Sequence, residues 1–466
     1  MSKFYLQTYG CQMNVHESGV VRRVLADAGF VETADERDAD VLLMMTCSVR
    51  SHAEQRALGR LGTFRALRSE REGRVVGVLG CMAQRFGETL VNDHRADIVV
   101  GPDEYLRLPE LIANVRAGAT GLVATRQTNE CYDAVMPARG PGVKDSRTPV
   151  PGTRPLGSSD PGILSFVTVM RGCNNYCTYC IVPYVKGRER SRPLAGILSE
   201  AERHVADGVK DITLLGQNVL AYRDGSRRFP CLLAAVASAL PQTRIRFLTS
   251  HPRDLDSSLL ETMRRLPNVC PSLHLPVQSG SNAILERMNR GYTREEYLAK
   301  VALCRKVLPE LSLTTDVLVG FPSETEADFR ATLDLVEQVR FDFAYMFRFS
   351  FRPGTRAAEF EPKVSEADGG RRLSRLIEIQ NRITAERNRG MLNKEFGLLI
   401  EGPSPRGSGW LGRTVTNKVI IAKGPYAPGD LVRCRVTRIN GRTPVAEVPA
   451  RTAAMCHVEV ERKKEK

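Results

Sequence analysis

Long apolar runs are missing from this chain. No stretch approaches the roughly 20 residues that a membrane helix needs, and the opening Met1–Asn14 lacks the apolar core of a signal peptide. The expectation is a cytoplasmic protein with no membrane partner. Cysteine is sparse as well. Twelve in 466 residues are too few for a disulfide framework, so in a reducing compartment any clustered thiols point to metal binding or catalysis. Collagen-like repeats and coiled-coil heptads are absent, and 42% hydrophobic with 26% charged residues fits an ordinary globular protein. Acidic residues fall short of basic ones: 53 Asp and Glu face 67 Lys and Arg, a net charge of +14. That excess favours a polyanionic partner, most simply nucleic acid, over a merely basic background. The surplus is uneven. Residues 386–466 hold 16 basic and 8 acidic side chains, more than half of it, although the tail Arg462–Lys466 reads as a solvated end.

The length suits about three domains. In the first, Phe4–Tyr9, Asp40–Met45 and Arg74–Leu79 read as strands, with helices over Glu17–Ala28 and Ala53–Leu67. A cysteine follows each strand: Cys11, Cys47 and Cys81, each about one βα unit from the next. Parallel strands with right-handed crossovers bring their carboxyl ends to one edge, where three thiols could converge. A single such cysteine is more simply a small buried residue. Three in the same local position favour a three-thiolate cluster site. Residues 1–135 are thus expected as a Rossmann-like α/β domain. Residues 136–160, rich in Pro, Gly and Ser, form a linker. From 161 to 388 strands and helices alternate again. Ser165–Met170, Asp211–Leu215, Arg244–Leu248, Leu273–Pro276, Leu313–Leu318 and Phe343–Phe349 predict an incomplete (β/α)6 barrel with its chemistry at the strand carboxyl ends. Gly370–Gly390 reads as a long bridging helix. Residues 389–455 hold short strands separated by Gly and Pro, a small antiparallel β-barrel of the nucleic-acid-binding kind. Residues 456–466 form a basic tail.

The most specific signal is Cys173-Asn174-Asn175-Tyr176-Cys177-Thr178-Tyr179-Cys180. Zinc prefers paired knuckles that supply four ligands, and no fourth Cys or His lies near; His204 and Cys231 are far along the chain. A 4Fe-4S cube with one iron left open fits three thiolates better. Cys131, Cys231, Cys270, Cys304, Cys434 and Cys456 share no spacing and read as ordinary thiols.

In its wider context, Val169-Met170-Arg171-Gly172-Cys173 through Pro183, this loop resembles that of the radical S-adenosylmethionine (SAM) methylthiotransferases, most closely their tRNA-modifying branch. The likeness runs through Thr8–Asn14, Thr46–Arg50, Gly80–Arg85, Gly187–Arg192, Leu215–Val219, Ser250–Pro252, His274–Ser281, Asp316–Pro322 and Gly412–Lys418, the last similar to a TRAM module. The linker is poorly matched, and Met45 stands where relatives often have Asn.

The resemblance implies two 4Fe-4S clusters, held by Cys173, Cys177 and Cys180 and by Cys11, Cys47 and Cys81. It implies SAM bound at the first, a 5′-deoxyadenosyl radical, and methylthiolation of C2 of N6-isopentenyladenosine beside a tRNA anticodon. Such a C–H bond lies beyond any side-chain base, and no side chain is assigned as a catalytic acid or base. Tyr179, Gly216, Gln217, Ser250, His251, Gln278, Ser279 and Asp316 are the implied SAM contacts. Arg188, Arg190 and Arg192 suit phosphate contacts, with pairing to Glu189 as the alternative. Arg413, Asn417 and Lys418 are candidate RNA contacts, and Trp410 is either a stacking or a core residue. The electron donor is left unidentified and a monomer is expected. Two other readings remain: a sibling acting on threonylcarbamoyladenosine or a ribosomal protein, and a non-catalytic iron–sulfur redox sensor that binds RNA.

Overall fold

The structure, a computed structural model, describes residues 1–48, 51–133, 135, 137, 162–405, 407 and 409–447, with the backbone alone at 51–53. Val49, Arg50, the expected linker apart from Pro137, Cys456 and the basic tail lie outside the described residues.

The N-terminal part is a six-stranded parallel sheet. Its strands lie in the order Val31–Glu32, Lys3–Thr8, Val41–Thr46, Val75–Gly80, Ile98–Val100, Leu122–Ala124. Val41–Thr46 and Val75–Gly80 are buried at every residue, as continuous apolar strands covered on both faces must be. Alternation still sorts them: Val41, Leu43 and Met45 face one core, Leu42 and Met44 the other. The strand order reverses between Lys3–Thr8 and Val41–Thr46, which opens a crevice at their carboxyl ends. Register keeps those ends level, pairing Thr8 with Met45 and Thr46 with Gly80.

The central part supplies six more parallel strands in chain order. Leu164–Thr168, Asp211–Leu215 and Arg244–Phe247 form one sheet; Ser272–His274, Ser312–Val319 and Phe343–Arg348 form the next. A bridge between Ile245 and Val269 joins the two. Together they make the open, partial barrel. Two of its helices are fixed by their own sequence, Thr293 and Thr325 each forming a capping box with the residue three positions on. A 24-residue helix, Glu366–Arg389, then crosses to the last domain, its start fixed by the Ser365 side chain accepting from the Asp368 amide at 3.0 Å.

The C-terminal part is a closed barrel in the order Glu395–Pro403, Trp410–Arg413, Val419–Lys423, Thr443–Glu447, Leu431–Asn440. Its pairings are antiparallel except that Val419–Lys423 and Thr443–Glu447 run parallel. Five strands cannot alternate in direction around a closed ring, so one like-directed pair is unavoidable. Trp410 packs on this core.

Candidate active site

The first cysteine trio is positioned by sheet register. Cys11 stands at the N-cap of the helix Gln12–Asp27, Cys47 directly follows Thr46, and Cys81 opens the helix Cys81–Phe86. Asn14 ties the first two loops together: its Nδ2 donates to Tyr9 O at 2.7 Å and to Thr46 O at 2.9 Å. Gly10 sits at φ +123°, where a Cβ would fall 2.6 Å from Cys47 Cβ, so the close approach of these strand ends requires glycine. A hydrogen bond with Cys47 draws the Cys11 thiol down to about 6 in spite of burial. Burial pushes Cys81 up to about 11, against the pull of the Lys186 charge.

The second trio lies on a loop after the first barrel strand. Gly172 enters it at φ +76°, where a Cβ would stand 2.0 Å from Arg188 O. Residues 287–290 brace the loop from below. Thr178 N and Oγ1 donate to Met288 O at 3.1 Å and Arg287 O at 2.8 Å, and Asn289 Nδ2 donates to Asn175 O at 3.1 Å. Arg290 Nη1 donates to Cys177 Sγ at 3.3 Å. Burial pushes Cys173 up to about 11 and Cys180 to about 12. These thiols hold their protons until a metal displaces them.

Both trios face one cavity of about 1150 Å³, which Cys11, Cys47, Cys81, Cys173 and Cys180 all line. It runs the length of the barrel lumen. At the carboxyl rim stand the cysteines; at the amino ends of the strands stand Asp211, Arg246 and Asp342. Among the described residues no three His, Cys, Asp or Glu side chains surround a single-ion point. A cube requires no such point, since each thiolate binds a different iron. Three cysteines in one braced loop, with Tyr179 and Cys180 opening on the cavity, therefore fit a cluster with an open iron. A buried Gln217 Oε1 on the cavity wall lacks a hydrogen-bond donor, a vacancy suited to an amino group of a cofactor.

The structure brings some expected cofactor contacts to the cavity and not others. Tyr179, Gly216, Gln217, Gln278 and Asp316 line it. Gln278 does so at φ +70°, a conformation that is costly for a residue other than glycine and that clusters at functional sites. Ser250, His251 and Ser279 do not line it. Ser250 Oγ donates to His274 O, and Ser279 is fully buried beside Thr332 Oγ1 at 3.3 Å. His251 accepts from Arg253 N at 3.3 Å, capping a turn. Burial and the Arg290 charge lower its imidazole to about 2, so it stays neutral.

The expected RNA contacts need correction. Arg188 is exposed, but Arg190 chelates Asp103 at 2.7 and 3.1 Å. Arg192 is buried against Asp133 at 2.6 Å, Glu200 at 2.7 Å and Thr168 O at 2.7 Å. Their charges are consumed in joining the first two domains. Glu189 holds the cluster loop instead, accepting from Asn174 N at 3.0 Å. In the last barrel, Arg413 is buried on Glu401 and donates to Asn417 Oδ1 at 3.0 Å. Lys418 reaches Asp342 at 2.9 Å and Asn388 at 3.2 Å. These three residues close the amino end of the lumen, away from the cysteines.

Sequence reading missed Lys186, Arg290 and Arg352. Lys186 is buried on Glu17 and close enough to lower Cys11. Arg352 donates to Ser48 O and lies between Cys47 and Cys180, both of which act on its charge. Nothing in their local sequence marks them except, for Lys186, its place six residues beyond the cluster loop.

Residues 167–336 match the Radical SAM superfamily, and residues 3–101 match the Uncharacterized protein family UPF0004. Among solved structures, the radical S-adenosylmethionine methyltransferase TsrM from Kitasatospora setae is similar with a TM-score of 0.56 and 17% identity. That likeness spans 77% of this chain and 75% of that one and reflects the fold. Curated relatives named tRNA-2-methylthio-N(6)-dimethylallyladenosine synthase are far nearer. The protein of Bacteroides thetaiotaomicron is 46% identical over 449 residues, 95% of either chain. That of Chlorobium luteolum is 43% identical over 447 residues, covering 95% of this chain and 96% of its own. Identity at that level along the whole length, on a fold that gathers both cysteine trios at one cavity, means that this chain belongs to the tRNA-2-methylthio-N(6)-dimethylallyladenosine synthase family.

Proposed function

We propose that this protein methylthiolates C2 of N6-isopentenyladenosine beside the anticodon of tRNA, using SAM and two 4Fe-4S clusters. The observation that carries this reading is the shared cavity: two sets of three cysteines from two domains meet there, and all but the buried Cys177 line it. When bound, the clusters and SAM supply a carbon radical able to take hydrogen from an unactivated ring C–H, and the sulfur and methyl that replace it.

The chain's own residues do the rest. Cys173, Cys177 and Cys180 would hold the radical-forming cluster, and Cys11, Cys47 and Cys81 the auxiliary one. Each set leaves one iron without a protein ligand. Tyr179 and Gly216 border the first set, Gln217 Oε1 offers its unmet acceptor, and Gln278 and Asp316 wall the opposite side. Ser250, His251 and Ser279 support these walls from behind. His251, held neutral, moves no proton in this scheme. Arg413, Asn417 and Lys418 of the last barrel border the amino end of the lumen. Exposed Arg188, just past the cluster loop, is the phosphate contact that remains of the expected three. Residues 1–135, 161–388 and 389–455 serve as the working units. A low-potential one-electron donor reaches a monomer in the cytoplasm.

Mass spectrometry of tRNA nucleosides tests the substrate. A strain lacking this chain should lose 2-methylthio-N6-isopentenyladenosine and accumulate N6-isopentenyladenosine. The intact gene should restore the product, and Cys173→Ala and Cys11→Ala should not. Persistence of the methylthio nucleoside in the deletion strain would overturn the assignment.

A further inference from the structure

The cluster loop rests on a buried cation that has no carboxylate opposite it among the described residues. Arg290 is 4% exposed. Its Nε donates to Tyr292 Oη at 3.0 Å and its Nη2 to Pro276 O at 2.8 Å. Its Nη1 turns to Cys177 Sγ at 3.3 Å and Tyr179 Oη at 3.4 Å. The ring of Tyr292 lies 5.4 Å from the guanidinium carbon.

Other buried cations of the protein are arranged differently. Arg171 and Lys186 pair with Glu17, Arg192 with Glu200, Arg246 with Asp211, Arg372 with Glu324 and Arg413 with Glu401. Arg74 has no carboxylate either, yet its Nε, Nη1 and Nη2 each reach a backbone carbonyl. Arg290 alone among these spends a donor on sulfur. A buried charge without a counter-ion is costly, and its neighbours here are a thiol, two phenols and a carbonyl. Of these neighbours, Cys177 Sγ is the one that would carry negative charge as an iron ligand.

We propose that Arg290 is a positioning residue for the reduced cluster, its fixed positive charge at Cys177 Sγ favouring the cube that has accepted one electron. This rests on the reading of Cys173, Cys177 and Cys180 as cluster ligands. The step is a one-electron addition: an external one-electron reductant is oxidised, the cube gains one negative charge, and no bond breaks. The nearby guanidinium makes that added charge less unfavourable, and hydrogen bonds to cluster sulfur are a known lever on potential. The same Nη1 holds Tyr179 Oη, so the aromatic side chain between Cys177 and Cys180 and the charge at Cys177 Sγ are set by one residue.

The test is an EPR-monitored potentiometric titration of the anaerobically reconstituted full-length protein, with dithionite as reductant. The signal followed is the one that changes on adding SAM. Arg290→Gln keeps a hydrogen-bond donor and removes the charge; Arg290→Lys keeps the charge. With Gln, the ratio of reduced to oxidised cluster at a fixed potential should fall about tenfold, the scale of a charge-assisted hydrogen bond. With Lys it should fall less. Equal ratios for Gln and the parent would overturn the proposal. So would equal losses for Gln and Lys, or loss of iron in both variants, since either result makes Arg290 a packing residue. If the parent shows no SAM-responsive signal, the cluster assignment itself has failed, independently of Arg290.

Discussion

Glu17 and Lys186 form an ion pair across 169 positions of sequence, each side chain 3% exposed. The pair fastens the helix behind Cys11 to the short helix after the second cysteine trio. Glu17 also accepts from Arg171 Nη2 at 3.0 Å and from Tyr105 Oη at 2.9 Å, and Arg171 lies over the Tyr132 ring at 4.8 Å. The distance between the two cysteine trios is thus set by a buried charge network as well as by apolar packing.

That network has a pH signature. Burial alone would raise the Glu17 carboxyl, but Lys186 and Arg171 outweigh it and hold it down at about 2 from 4.5. On acidification the unfolded chain takes up this proton first, so stability falls from about pH 4.5 down to about pH 2. The depression corresponds to roughly 3 kcal/mol above that window. Glu17→Gln should remove most of it at neutral pH, and flatten the pH dependence of urea unfolding between pH 5 and 2. An unchanged slope there would mean that Glu17 is not the titrating group.

Much of the site was legible because it repeats. The strand–cysteine–helix pattern around Cys11, Cys47 and Cys81 follows from the period of βα units, and parallel register then aligns Thr8, Met45, Thr46 and Gly80 without further information. The six barrel strands were legible for the same reason. Partner choice was not. Arg190 and Arg192 look like a phosphate-binding ladder in sequence, yet they pair with Asp103 and Asp133, because an arginine cannot announce which distant carboxylate will face it. Lys186 and Arg290 were invisible for that reason too. The helix after Cys11 begins at Gln12 rather than at Glu17, since its first turn holds the polar Asn14 on the carbonyls of Tyr9 and Thr46 instead of presenting an apolar face.

Gly172→Ala tests the geometry of the cluster loop. The position combines φ +76° with the Arg188 backbone carbonyl 2.0 Å from any Cβ, and that carbonyl, two residues before the antiparallel pairing of Met170–Arg171 with Arg190–Ser191, cannot swing aside as a side chain can. The substitution should destabilise the protein by at least about 2 kcal/mol. It should also lower iron bound per chain, read by colorimetric iron assay alongside the thermal midpoint. Full iron loading would show that the loop tolerates a displacement that this geometry forbids.

Asn14→Ala separates the two cysteine trios. Its amide satisfies Tyr9 O and Thr46 O beneath Cys11 and Cys47, and removing it strands two buried acceptors at about 1–3 kcal/mol. The loop of Cys173, Cys177 and Cys180 has separate braces at residues 287–290. Mössbauer spectra of the variant should therefore show iron lost from one cluster and kept in the other. Equal loss from both would mean that the trios are not held independently.

The last barrel is held by Arg246, and the consequence is specific. Its Nε meets Asp211 at 2.8 Å, while Nη1 and Nη2 donate to Val415 O at 3.0 Å and Thr414 O at 2.9 Å. One guanidinium therefore neutralises a carboxylate in the lumen and caps two carbonyls of the docked domain. Arg246→Ala leaves Asp211 buried and unpaired, a loss of roughly 3–5 kcal/mol. Arg246→Lys restores the charge but, as a point donor, cannot span both carbonyls and the carboxylate. Limited proteolysis should then release a fragment beginning near residue 390 from the Ala variant first, from Lys next and from the parent last. The cysteines lie at the other end of the lumen, so iron content should stay at the parent level in both variants. A barrel that remains protease-resistant in the Ala variant would place the docking energy elsewhere, with Lys418 and Asp342 as the remaining charged pair between the two domains, among the described residues, to test.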